Sequence, residues 1–167
     1  MTLPEPFATA GCNCAACPYS KDGKPRDWLL PVGPTRNPQG LLVLGSGPTR
    51  DEVKAGEQLS GMMGREMSET LLEAGIEKEK LLVVNAFACT PNEPQRDTEN
   101  RAATIACRPL VRYYANRLPP ETPTLLCGKW AMLSLIGREK GLFATRGFRD
   151  DKWTLQTPMK STEVEED

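Results

Sequence analysis

A chain of 167 residues has room for one domain with a hydrophobic core and little room for a second, so a single domain over residues 1–167 is expected. With 21 Lys and Arg against 22 Asp and Glu, the net charge of −1 excludes a globally basic nucleic-acid binder and leaves that role to a local patch. No apolar run reaches membrane length and MTLPEPFATAG lacks signal-peptide regions, so a cytoplasmic protein without membrane partners is expected.

In chain order, residues 12–40 are rich in Pro, Gly and Cys and read as a cysteine-bearing, loop-built segment. LLVLG at 41–45 is apolar on both faces, as strands buried in parallel sheets are. A helix over 63–75 puts Met63, Met67, Thr70, Leu71 and Ala74 on one face and stops at Gly75. LLVVNA at 81–86 is a second strand. A long helix follows over 97–118, with Asp97 as N-cap, Ile105 and Leu110 inward, and Pro109 kinking or dividing it. TLLCG at 124–128, the short helix KWAMLSLIG, a weaker strand WTLQT at 153–157 and a frayed acidic tail at 161–167 complete the pattern. Strands alternating with helices predict an α/β fold with a parallel sheet covered on both faces.

Three features carry chemistry. Gly45 and Gly47 end the first strand in the turn GSGPT, and a backbone without side chains there can approach a ligand beyond the strand's carboxyl end. Six cysteines in a reducing compartment are suited to metal or catalysis rather than to disulfides. Of these, Cys14 and Cys17 form a C-x-x-C pair, and Cys89 and Cys107 flank the connection after the second strand. The four close either a thiolate site, for zinc or an iron–sulfur cluster, or a set of buried free thiols. Cys12 competes with Cys14, and Cys127 belongs to the core. Histidine is absent, which removes the commonest general base. Finally, Arg101, Arg108, Arg112 and Arg117 with Tyr113 and Tyr114, and separately Lys140, Arg146, Arg149 and Lys152, form either phosphate-tracking stripes or solvated faces.

Taken together, the motifs resemble the iron–sulfur uracil-DNA glycosylases of family 4 and the related phage polymerase-associated domain. CAACPYS is similar to that family's opening cysteine pair, and VLGSGPT to its Gly-Glu-Gly-Pro-Gly motif. LLEAGIEKEKLLVVNAFACTPNEPQR is similar to its Leu-x-x-x-Gly-Ile and Asn-x-x-x-Cys-x-Pro-x-Asn segments. IACRPLV, LLCGKWAMLSLIG and ATRGF follow in the family's order, so the likeness runs from about residue 12 to about 158. The resemblance implies a three-layer α/β/α fold with a four-stranded parallel sheet, and a [4Fe-4S] cluster on Cys14, Cys17, Cys89 and Cys107. It further implies excision of uracil from DNA, with Asn85 reading the base. The loop containing Gly45, Gly47 and Pro48 becomes the floor of a pocket for a flipped nucleotide.

The catalytic positions depart from the family. Ser46 replaces a carboxylate, Leu59 a stacking phenylalanine, and Thr157 an imidazole. A hydroxyl at Ser46 positions water but carries no charge to oppose an oxocarbenium-like centre, so weakened or altered chemistry is expected. The leading expectation is therefore a DNA-binding iron–sulfur protein of glycosylase type, acting on single-stranded DNA or a flipped base. One alternative is a non-catalytic accessory of phage replication or DNA modification, with a replication or modification protein as partner. Another is a zinc-stabilised α/β protein that binds a nucleotide or protein at the Gly45 loop.

Overall fold

The computed structural model describes residues 3–31, 33, 41–91 and 95–137. Three parallel strands, β1 (Leu42–Gly45), β2 (Leu82–Asn85) and β3 (Thr124–Leu126), lie in the order β2-β1-β3. The sheet thus has three strands among the described residues, not four; the remaining candidate, 153–157, lies outside them. Central β1 carries Leu42, Val43 and Leu44, each at most 1% exposed. The register sets Leu42 beside Leu82 and Thr124, and Gly45 beside Asn85, so β1 and β2 release the chain at the same level.

Successive strand side chains point to opposite faces, and this alternation divides the core. Leu42, Leu44, Leu82 and Val84 pack against Val111, Ala115, Leu118 and Ala131. Val43, Leu81 and Val83 pack instead with Leu59, Met67, Leu71 and Ile76. One face is therefore covered by α4 (Asp97–Ala115) and α5 (Lys129–Ile136), the other by α3 (Met62–Glu73), giving helices on both sides of the sheet. Burial on both faces is why these strands read as continuous apolar runs.

Two helices differ from expectation. The inward line of α3 is buried Gly64 with half-buried Met67, Ser68 and Leu71, whereas Met63 is 72% exposed and Thr70 and Ala74 face solvent. Gly64 sets this rotation: a Cβ there would lie 2.4 Å from the Leu59 Cα, so only glycine lets the helix come so close. The stop at Gly75 is as expected, with φ at +81° and its N–H on the Leu72 carbonyl. Helix α4 runs unbroken through Pro109. Proline there removes the donor to the Ile105 carbonyl, and Ile105, expected inward, is 45% exposed, so the orphaned carbonyl lies on the solvent side. Asp97 is the first helical residue rather than the N-cap, which is Arg96; its carboxylate pairs with Lys129.

Candidate functional site

Among its described residues the amino-terminal segment has α1 (Phe7–Ala10) and a 3₁₀ turn over Cys14–Ala16 as its helical elements, so its position depends on bonds to the rest of the chain. The Asn13 N–H donates to the Ala106 carbonyl at 3.0 Å, Leu29 to Ala88 at 2.9 Å, and Thr90 to Asp27 at 3.0 Å. These bonds carry Cys14 and Cys17 to Cys89, which follows β2, and to Cys107 on α4. All four are buried, at 2–7% exposure. Every one of the six pairs is close enough for charge on one sulfur to oppose charge on another.

Burial, and then these neighbours, pushes the Cys14 thiol up to about 11. Burial likewise pushes Cys89 up to about 12, and raises Cys17 against a hydrogen bond from the Tyr19 backbone. Cys107 is raised first by a hydrogen bond with Cys12 and then by burial. Four thiols that oppose one another's ionisation suit a metal centre, because bound cationic iron reverses that opposition. Among the described residues no three His, Cys, Asp or Glu side chains converge on a single ion. Cys12 touches the set through Cys107, while Cys127 lies just past β3 beside the Val43 and Leu59 cluster.

Beyond the carboxyl ends of β1 and β2 is a cleft of about 380 Å³, lined by Ser46, Gly47, Pro48, Thr49, Arg50, Phe87, Thr90, Pro91, Gln95 and Trp130. Its loop is clamped to the chain after β2, with the Ala86 N–H on the Gly45 carbonyl at 2.9 Å and Phe87 on Ser46 at 3.2 Å. Glycine is required at 47, since a Cβ would fall 2.0 Å from the Phe87 ring. Thr49 then caps α2 (Arg50–Ala55) in a capping box with Glu52. Glu52 also accepts the Leu59 N–H at 2.7 Å and so ties the glycine loop to the next turn.

Ser46, Gly47 and Pro48 therefore line the cleft, whereas Gly45 and Asn85 sit paired at the strand ends behind it. Asn85 lies so close that a Cβ on Gly45 would be 2.5 Å from its Oδ1. Leu59 is not a lining residue: it is 8% exposed and packs with Val43, Leu81 and Val83, at a left-handed φ of +61°. Thr157 lies outside the described residues. Sequence reasoning missed Arg50, Phe87, Gln95 and Trp130. The one usable signal was an aromatic between Asn85 and Cys89. The lining contains hydroxyls, an amide and a guanidinium, with no carboxylate among the described residues.

Of the helical arginines, Arg108 donates to the Ser134 carbonyl at 3.1 Å and Arg117 folds over the Tyr113 ring. Arg112, Tyr113 and Arg117 border a shallow groove at the end of α4. The second basic group, at 140–152, lies outside the described residues. No helix among the described residues is long and apolar enough to cross a membrane.

A parallel α/β sheet between helix layers, with a cleft at a glycine turn beyond the strand ends, defines an open α/β architecture, the kind that places ligands beyond the carboxyl ends of its strands. The chain matches the Uracil DNA glycosylase superfamily over residues 31–162 and belongs to that superfamily. It is similar to the type-4 uracil-DNA glycosylase of Pyrobaculum aerophilum, at 28% identity over 131 residues covering 75% of this chain and 62% of that enzyme. It is similar also to the type-4 uracil-DNA glycosylase of Thermotoga maritima, at 24% identity over 135 residues covering 81% of this chain and 67% of that enzyme. The chain thus spans under two thirds of the Pyrobaculum relative.

Proposed function

We propose that this protein is an intracellular, iron–sulfur uracil-DNA glycosylase-like protein, folded as one domain, that receives a flipped base of single-stranded DNA in the cleft beside Ser46. The observation that carries this reading is the convergence of Cys14, Cys17, Cys89 and Cys107 next to that cleft, in a chain of this superfamily. The four thiols would hold a [4Fe-4S] cluster, which ties the amino-terminal segment to α4 and supplies no step of bond cleavage. Phe87 and Trp130 offer flat apolar walls to a base, and Asn85, behind the lining at the end of β2, is the amide proposed to reach its edge. Ser46 positions water but does not oppose positive charge on the sugar, and Thr157 offers a hydroxyl to the departing base. Cleavage should therefore be slow.

The lack of a carboxylate in the described lining favours one second reading, a DNA-binding accessory without cleavage, with a replication or modification protein as partner. Anaerobic purification followed by a base-release assay on single-stranded uracil DNA tests both. The expected result is a brown protein with absorbance near about 400 nm and slow uracil release. Colourless protein that binds no iron would overturn the cluster. Uracil-selective binding without release would establish the accessory reading.

A further inference from the structure

Burial in the cleft is graded. Pro48, Phe87, Thr90, Pro91 and Trp130 form a buried floor, while Thr49, Arg50 and Gln95 stand exposed at the rim. Arg50 is the only ionisable side chain among the described lining residues. Its acidic neighbours in sequence are engaged: Asp51 lies 3.9 Å from Lys54, and Glu52 accepts from Thr49 and Leu59. Among the described residues Arg50 makes no ion pair. Lys129, at the start of α5, differs: Asp97 neutralises it and its ammonium lies over the Trp130 ring. Among the described lining residues there is therefore one cation without a described counter-charge, at the mouth of the cleft.

An apolar aromatic floor beneath a cationic rim matches the two ends of a nucleotide, and about 380 Å³ is within the range of small-molecule sites. A base bound at the floor meets Phe87 and Trp130, which carry no charge, so the rim guanidinium is placed for the phosphate rather than for the base. Its planar fork suits two phosphate oxygens at once. We propose that Arg50 is the phosphate clamp of this cleft, so that the ligand it takes is a deoxynucleotide held by base and flanking phosphate together, not a base or nucleoside alone. This rests on the base-pocket reading above.

The test measures binding of the full-length protein to a single strand carrying one 2′-fluoro-deoxyuridine, which resists hydrolysis. Companion strands carry neutral methylphosphonates on both sides of that residue, or an abasic site in its place. Neutralising the phosphates should weaken wild-type binding roughly tenfold. Arg50→Gln should weaken the natural strand by the same factor and leave nothing further for the methylphosphonates to remove. Arg50→Lys, which keeps the charge but loses the fork, should fall between. Arg50 is exposed, so these variants should keep the fold. If Arg50→Gln weakens charged and neutralised strands equally, the clamp is overturned while the base pocket stands. If the abasic strand binds as tightly as the uracil strand, the base pocket fails and the clamp with it.

Discussion

The thiol site and the cleft are neighbours built on opposite terms. At the thiol site four cysteines from three segments are buried, and each feels the others. At the cleft a hydroxyl stands where the superfamily resemblance implies a carboxylate, and Leu59 packs into the core instead of lining the wall. Under the proposed cluster the first region should resist change, because each of the four thiols would be a ligand tying the amino-terminal segment to α4, in addition to its backbone hydrogen bonds. The second tolerates change because its frame is backbone, held by Gly45, Gly47 and the bonds from Ala86 and Phe87. Scaffold and chemistry can thus diverge separately in one small protein.

That contrast is sharpest if the two regions fail in different ways. Cys89→Ala should abolish iron binding and most of the soluble yield, whereas Cys127→Ala, beside an ordinary apolar cluster, should leave iron per chain unchanged. Equal tolerance of both changes means that the four-thiol set is misassigned. Next in size, Ser46→Glu together with Thr157→His should raise uracil release from single-stranded DNA. Each charge-stabilising group in a preorganised site contributes about 2.7–4 kcal/mol, roughly a hundredfold to a thousandfold in rate. No gain, with binding retained, shifts attention to Phe87 and Trp130 as the residues that reshape the pocket.

A smaller effect is expected from Gly47→Ala, whose methyl would overlap the Phe87 ring at 2.0 Å. The cost should be about 1–3 kcal/mol, read as a lower Tm, and Phe87→Leu in the same chain should recover much of it. Additive losses in the pair would show that the ring does not set the loop. Smallest is Tyr19→Phe, which removes a buried hydroxyl donating to the Asn100 Oδ1 at 2.7 Å and should cost about 1–2 kcal/mol in denaturant unfolding, with iron content unchanged. A change in iron content instead would place Tyr19 within the metal site's support.

The sequence made the strands legible because burial on both faces leaves an unmistakable apolar run, as at Leu42 to Leu44 and Leu82 to Val84. The grouping of Cys14, Cys17, Cys89 and Cys107 in space was legible through spacing and order, while their role as ligands is a proposal. The rotation of α3 was not, because it depends on the contact between Gly64 and Leu59, a long-range fact that periodicity does not carry. Nor did proline at 109 reveal that the helix continues, since the lost donor matters little on a solvent-facing side. The cleft lining was missed for a related reason. Trp130 and Arg50 come from α5 and α2, each beyond a different strand, and only the parallel register brings them together.

Tyr19 lies two residues past Cys17, is fully buried, and meets the Phe87 ring edge-on with centroids 5.4 Å apart. The span that matches the superfamily begins at residue 31, so this contact crosses its boundary. The span that the family match covers and the unit that packs together are therefore not the same piece of chain. Trimming the protein to its matched span would strip Phe87, Cys89 and Cys107 of their cover and turn the inner wall of the cleft into exposed, adhesive surface.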